Sequence, residues 1–560
     1  MTSATPEIPP QPLPEPLEQP LDPADAPDAV EREAVAPGTL RLPGESQSRQ
    51  AWHVDLQDET ATAALAVRIA EILRADDLVT LSGDLGSGKS TFARALLRHM
   101  TGNAGLEVPS PTFTLMQVYA GPDFPMVHAD LYRIKQPGEL ADLGWEEASE
   151  GALVLVEWAE RAGGTLPLDR LDIAFYMDLA RGPGYREAVL RGHGSFAPRL
   201  ASARAIGEVL GRSGWMQARR DFMTGDASAR AYERLTKPDG AQAVLMIMPA
   251  RPPGPPIRFG KSYAAIARLA LDIKPFLAMA AALRAQGLSA PEIFAHDAAT
   301  GVAVLEDLGL EGIADGKGMI FERYAQALDV LAKLHASDLP DVLPMPGGDF
   351  YRIPAYDPEA MLIEVEQLLD WYVPHVARIV LSSGTRAIFL NLWRKLLDEV
   401  VPAKPTWTLR DFHSPNLIWQ SRRSGPARIG LIDFQDCAMG HPAYDVAALL
   451  QDARVTIADA DEIRLLGHYA RARREADASF DMSAFARAYA ILGAQRNTKI
   501  LGIFARLDKR DAKPAYLAHL PRIIAYLSKD LAHPALAQIK TWFDIHLPQV
   551  LGPGAAGPEP

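Results

Sequence analysis

Gly83-Asp84-Leu85-Gly86-Ser87-Gly88-Lys89-Ser90 decides the first half of the chain, because it matches G-x-x-x-x-G-K-[ST] in the context where that pattern has a mechanism. It follows the apolar run Leu78 to Leu81, which reads as a strand, and it opens the helix-like stretch Thr91 to Met100. Glycines let backbone N–H groups converge on phosphate oxygens, Lys89 brings a point charge to the terminal phosphates, and the Ser90 hydroxyl suits a magnesium ion. Every residue from Gly83 to Thr91 is therefore an expected nucleotide contact.

Two strand ends further on supply acids. Asp130 closes Met126-Val127-His128-Ala129 and suits magnesium held through water, while Glu157 closes Leu153-Val154-Leu155-Val156 and can polarise an attacking water. Helix-like stretches alternate with short strands from Trp52 to about Arg199, which predicts an α/β P-loop domain on a largely parallel sheet. Leu171 to Gly192 reads as two more strands around Gly182-Pro183-Gly184.

Residues 1–50 hold 11 of the 45 prolines, 9 acidic and 3 basic residues, and no Phe, Trp or Tyr, so they read as a disordered tail. The domain map expected from the sequence is a tail over 1–50, an ATPase domain over 51–197, and a linker over 198–212 rich enough in Ala and Arg to be helical. A kinase-like domain over 213–550, its small lobe reaching about 309, and a flexible end over 551–560 complete it.

Gly83-Asp84-Leu85-Gly86 with Gly88-Lys89-Ser90-Thr91, then Ser110-Pro111-Thr112-Phe113, His128-Ala129-Asp130-Leu131-Tyr132-Arg133 and Glu157-Trp158-Ala159-Glu160-Arg161 fall in order within this domain. Together they resemble the TsaE-type ATPases of tRNA threonylcarbamoyladenosine biosynthesis. The resemblance implies ATP hydrolysis that resets a partner complex, the threonylcarbamoyltransferase subunits, with tRNA contact only through those partners. It also implies that Thr112 belongs to a switch-like loop near the nucleotide. Ser90 stands where many members of that family have Thr, which keeps the hydroxyl.

The second half turns on Leu409-Arg410-Asp411-Phe412-His413-Ser414-Pro415-Asn416, where an Asp and an Asn stand five apart, and on Asp433 seventeen residues later. In a phosphotransferase site Asp411 takes or orients the proton of the acceptor hydroxyl, and Asn416 and Asp433 hold the magnesium ions that bridge the phosphates. The apolar pairs Leu417-Ile418 and Leu431-Ile432 flank the turn-like Ser421 to Pro426, so a hairpin would bring Asn416 and Asp433 together. Upstream lie two strands in Tyr232 to Met248, a Pro-rich insertion from Arg251 to Pro256, a helix from Pro275 to Ala285, and strands ending at Glu306. Helical spacing follows in Ala325 to His335 and Met361 to Val373. The architecture expected is a bilobal, protein-kinase-like α+β domain. Gly225-Asp226-Ala227-Ser228 with Arg230 would cover the phosphates, and Leu305-Glu306-Asp307-Leu308-Gly309 would present backbone groups of Glu306 and Leu308 to adenine.

Arg410 to Leu417, Ile432-Asp433-Phe434-Gln435-Asp436, Gly440 to Asp445 and Gln451-Asp452-Ala453-Arg454 resemble the aminoglycoside-phosphotransferase and choline-kinase superfamily, and within it the AmgK-type kinases. Those act on the anomeric hydroxyl of N-acetylmuramate and N-acetylglucosamine in cell-wall recycling. One departure stands out. The strand Ala243 to Met248 lacks the lysine that kinases place there, and the helix from Pro275 to Ala285 lacks its glutamate partner. Either another cation grips the phosphates, with Arg230 first and Arg234 or Lys261 after it, or the domain is a non-catalytic module that senses a sugar or nucleotide and controls the ATPase. A kinase of another small alcohol, an aminoglycoside or choline, stays open too.

Composition bounds these readings. At 560 residues the chain has room for several domains, and 48% hydrophobic with 23% charged residues is globular. The net charge of −13 argues against a broad nucleic-acid footprint. A single cysteine, Cys437, excludes an intrachain disulfide and any cysteine zinc cluster, and with no 18-residue apolar run the chain reads as cytoplasmic. ATP and Mg2+ are the expected cofactors.

Overall fold

The structure, a computed structural model, describes residues 51–136, 139, 144–223, 230–345 and 348–551. The tail expected over 1–50, the end beyond Leu551, and Gly225 to Ser228 of the phosphate-covering turn lie outside them.

Alternation along buried strands builds the first domain. Val79 and Leu81 of strand Leu78–Ser82, with Leu153 and Leu155 of strand Leu153–Glu157, point into a core shared with helices Glu59–Ala70 and Lys89–Thr101. Leu78, Val154 and Val156 point the other way, into a smaller core with Val127, Leu131 and Leu166. The seven strands run in the order Trp52–Leu56, Arg186–Gly192, Leu171–Met177, Leu78–Ser82, Leu153–Glu157, Met126–Asp130, Met116–Tyr119. The largely parallel sheet expected from the sequence is in fact mixed. Three central pairings are parallel and the three towards the edges are antiparallel; two of these are hairpins whose short connections through 120–125 and 178–185 allow only a reversal, and the third adds Trp52–Leu56 as an antiparallel edge strand. The parallel centre still sets strand ends side by side, with Asp130 level with Glu157.

Residues 198–212, expected as a linker, lie inside one helix, Phe196–Arg212. Its first turns give Phe196 and Leu200 to the core of the P-loop sheet. Its later turns give Ala205, Val209 and Leu210 to a core with Ala243, Leu245, Val302 and Val304 of the next sheet. The Ala- and Arg-rich composition that left room for a helix there suits one packed closely on two sheets. Arg220 adds an ion pair across the join, to Glu71 at 2.8 Å, while also holding Glu233 at 2.6 Å. Both parts belong to one compact unit.

The second sheet has five antiparallel strands in the order Ile293–Asp297, Val302–Glu306, Gln242–Ile247, Ala231–Thr236, Arg219–Met223. Met246, Ala303 and Leu305 face helix Lys274–Ala285, which stacks Phe276 on Phe434 with ring centroids 5.1 Å apart. Helices then dominate, including Phe321–Ala336, Pro358–Gln367, Ala443–Leu450 and the 30-residue Met482–Asp511. The expected hairpin forms, with Leu417 opposite Leu431. No helix among the described residues is long and apolar enough to cross a membrane.

Two buried aspartates, Asp445 in the first turn of helix Ala443–Leu450 and Asp452 just past its end, fix the loop 409–416. Asp445 accepts the N–H groups of Leu409 at 2.6 Å and Arg410 at 2.8 Å, and Asp452 accepts that of Ser414 at 2.8 Å. Burial pushes the Asp445 carboxyl up to about 7, against the two N–H bonds that favour its anion. A carboxyl whose folded pKa lies above its unfolded one costs the fold stability as pH rises from about 4 to about 7. Asp445→Asn, which cannot ionise, is expected to be most destabilising relative to wild type near pH 5 and least at pH 8. Urea midpoints at the two values should shift the gap by a few kcal/mol, at about 1.4 kcal/mol per pKa unit. A gap independent of pH would place the Asp445 pKa at its ordinary value.

Candidate functional sites

The glycine-rich loop joins strand Leu78–Ser82 to helix Lys89–Thr101 through backbone that side chains resist. Gly83, Gly86 and Gly88 have φ of 130°, 78° and 110°, and a Cβ on Gly83 would collide with the Phe175 carbonyl. Lys89 folds back and donates to the carbonyls of Gly83 at 2.8 Å and Asp84 at 3.0 Å, with its ammonium 4.0 Å from the Trp158 ring centroid. Burial holds its pKa below the ordinary lysine value, against the pull of Glu157 and other acids.

The two strand-end acids stand beside this loop. Glu157 accepts the Ser90 hydroxyl at 2.9 Å and shares a 2.9 Å hydrogen bond with His128 Nε2. Asp130 accepts the Ser110 hydroxyl at 2.6 Å and the Tyr132 N–H at 2.9 Å. Ser110 thereby ties the Thr112 segment to Asp130. Leu85, Gly86, Gly88, Lys89, Ser90, Thr91, Thr112, Asp130 and Glu157 all line one cleft of about 640 Å³, with Trp158 and Arg186. His128 went unread in the sequence although the signal was there, since residues two apart on a strand share a face. Its Nδ1 is buried without a partner.

In the second domain the hairpin sets Asn416 Nδ2 3.5 Å from Asp433 Oδ2, and the same amide donates to the Asp411 carbonyl at 2.9 Å. Asp411 is partly exposed and its carboxylate lies 4.0 Å from His413 Nε2. Arg410 and Asp433 both adopt left-handed backbone, with φ of 68° and 61°, a strain that recurs where a loop must aim a side chain. Arg230 crosses from the small lobe to meet this group. Its guanidinium lies 2.6 Å from Asp433 Oδ1 and donates to Gln435 Oε1 at 2.8 Å. Arg234 instead pairs with Asp307 at 2.9 Å, and Lys261 is an exposed residue of a two-stranded turn. Of the three cations suggested by the sequence, Arg230 alone meets Asp433.

The segment expected to face adenine is partly engaged. The Leu308 carbonyl accepts Gln420 Nε2 at 2.6 Å, and the Glu306 carboxylate pairs with Arg423 and, at 3.5 Å, with Arg284. Sequence reasoning missed a buried group beneath the loop 409–416, where Glu364 accepts from Arg410 at 2.5 Å, Lys499 at 2.9 Å and Tyr356 at 2.6 Å. Its members lie up to 143 residues apart, from Tyr356 to Lys499, so no local spacing announces it.

Comparison with known proteins finds a separate match for each part of the chain. Residues 56–182 match the family described as threonylcarbamoyl adenosine biosynthesis protein TsaE, and residues 222–486 match the phosphotransferase enzyme family. The chain is 45% identical over 105 residues to the TsaE protein of Rickettsia typhi, covering 19% of this chain and 72% of that one. It is 38% identical over 368 residues to the N-acetylmuramate/N-acetylglucosamine kinase of Caulobacter vibrioides, covering 62% of this chain and 98% of that one. The kinase of that name from Pseudomonas aeruginosa is 28% identical over 337 residues, 59% of this chain and 90% of that one. These matches show that the chain belongs to the TsaE family in its first part and to the N-acetylmuramate/N-acetylglucosamine kinase family in its second.

Proposed function

We propose that this is a bifunctional enzyme, an ATPase serving tRNA threonylcarbamoyladenosine modification joined to an ATP-dependent kinase of N-acetylmuramate and N-acetylglucosamine. The observation that supports the reading is that the two phosphate-site constellations, Lys89 with Glu157 and Asn416 with Asp433, lie in separate domains. The retained Asp411, Asn416 and Asp433, in a chain whose relatives are kinases, favour catalysis over a purely sensing second domain.

In the first site the loop 83–89 cradles the phosphates, with Lys89 turning from its two carbonyl partners to the terminal phosphate. Ser90 and Asp130 offer the hard oxygen donors that magnesium takes with nucleotide phosphates, and Asn416 and Asp433 offer the same in the second. When bound, that ion neutralises phosphate charge. Ser90 releasing Glu157 frees one carboxylate oxygen to orient a water, while His128 keeps the other fixed. Threonylcarbamoyltransferase subunits are the partners this reading requires, and the cytoplasm is its setting. In the second site Asp411 takes the proton of the sugar's anomeric hydroxyl as its oxygen attacks the terminal phosphorus of ATP, and the bond from that phosphorus to the bridging oxygen breaks to release ADP. Arg230 stands in for the missing strand lysine, presenting a planar guanidinium to phosphate oxygens from its place beside Asp433.

Two variants test whether the sites are separate. Lys89→Ala should lower the ATPase and the support of tRNA modification by at least about a hundredfold and leave sugar phosphorylation within twofold. Asp411→Asn should do the reverse, costing the sugar kinase several orders of magnitude while the ATPase persists. Loss of both activities in either stable variant would contradict two independent sites.

Arg230→Ala should lower kcat and kcat/KM of sugar phosphorylation together, by roughly a hundredfold, and Arg230→Lys should restore only part. Steady-state kinetics at saturating magnesium read this out. Wild-type rates in both variants would remove Arg230 from phosphate binding.

A further inference from the structure

Arg220, on strand Arg219–Met223, commits its whole guanidinium to two carboxylates. Nε and one terminal nitrogen hold both oxygens of Glu233, at 2.6 and 3.1 Å. The other terminal nitrogen holds both oxygens of Glu71, at 3.0 and 2.8 Å. Glu233 belongs to the neighbouring strand Ala231–Thr236 of the kinase small lobe, whereas Glu71 caps the C-terminal end of helix Glu59–Ala70 in the ATPase domain. A carboxylate at that end faces the negative pole of the helix, so Glu71 works against its own helix and is answered instead by Arg220. Packing does not fill this part of the join. An open cleft of about 590 Å³ lies there, lined by Glu71, Arg220, Phe222 and Glu233, and Arg220 spans it.

The strand that Arg220 grips has two working faces, because side chains alternate along it. Glu233 and Leu235 point outwards, Glu233 to Arg220 and Leu235 into the core under helix Phe196–Arg212. Arg230, Tyr232 and Arg234 point inwards, to the kinase site. Arg230 reaches Asp433 at 2.6 Å, Tyr232 packs against the core of the helical lobe, and Arg234 reaches Asp307 at 2.9 Å. The residue proposed to replace the missing strand lysine therefore lies three positions from Glu233 on one backbone.

That backbone is braced at the edge of its sheet. Strand Arg219–Met223 ends the strand order and pairs on one side only, with Ala231–Thr236, so its outer side has no further strand to hold it. The opposite edge, Ile293–Asp297, is also tied from outside, where Arg212 donates to the His296 carbonyl at 2.7 Å. Both edges of the small-lobe sheet are thus held by groups beyond it, one of them from the ATPase domain.

We infer that Glu71 of the ATPase domain is a positioning residue for the sugar kinase: through Arg220 and Glu233 it holds strand Ala231–Thr236 so that Arg230 presents its guanidinium to the phosphates beside Asp433. This rests on the sugar-kinase reading. It makes the first domain a brace for the second without linking the nucleotides they bind.

Steady-state kinetics of the full chain with ATP and N-acetylglucosamine test the assignment. Glu71→Gln keeps the size of the side chain and removes its charge. It should lower kcat and kcat/KM of sugar phosphorylation together, by about fivefold, with the KM for sugar and the ATPase rate of the first site unchanged. Glu71→Asp should restore part of the rate. In an Arg230→Ala background Glu71→Gln should cost almost nothing more, since a residue that acts through Arg230 has nothing left to position. A pair that merely stabilised the fold would instead lower the rate by the same factor in both backgrounds. No loss in Glu71→Gln, an undiminished loss in the Arg230→Ala background, or an equal loss of the ATPase would overturn the assignment. Wild-type protein that phosphorylates neither sugar would remove the kinase reading and this role with it.

Discussion

Glu364 is the carboxylate on which the second domain is organised. It is almost fully buried and accepts from Arg410, Lys499, Tyr356 and Gln495. Burial alone would drive it to the neutral acid, but Lys499 and Arg410 hold its pKa below the ordinary range. An unpaired charge there would cost several kcal/mol, so removing any one partner strands the others. Through Arg410 the group fixes the loop that ends in Asp411 and Asn416. Through Lys499 and Gln495 it fixes helix Met482–Asp511, whose Gly502 packs against Gln367 too closely for a Cβ. The left-handed backbone at Arg410 is held because its side chain also reaches the carbonyls of Ala267 and Arg268.

The first domain solves a similar problem with fewer charges. Its loop is shaped by glycine backbone, and its acids are preset by adjacent parallel strands, so Glu157 meets Ser90 and His128 without a buried cation pair. Helix Phe196–Arg212 then places hydrophobic side chains in the cores of both sheets. The two sites are thus joined by packed structure, while each keeps its own phosphate-binding machinery.

Much of this was legible because it is local. The loop 83–90, the strand ends at Asp130 and Glu157, and the hairpin joining Asn416 to Asp433 depend on short spacings that strand periodicity reads directly. Arg230 was reachable by another route, since the missing strand lysine demanded a cation near the phosphates. The mixed sheet was missed because apolar alternation is the same in parallel and antiparallel strands. The helical strut was ambiguous because Ala and Arg serve spacers and close-packed helices alike. Glu364 was invisible because its meaning lies in partners assembled from segments far apart in sequence.

Phosphorus NMR of the full-length protein with ATP, magnesium and N-acetylglucosamine tests most directly that one chain holds both a hydrolytic and a transferring site. Two products are expected, inorganic phosphate and a sugar phosphate whose phosphorus couples to the anomeric proton. ATP consumed to inorganic phosphate alone, or phosphate placed on the primary hydroxyl, would contradict it.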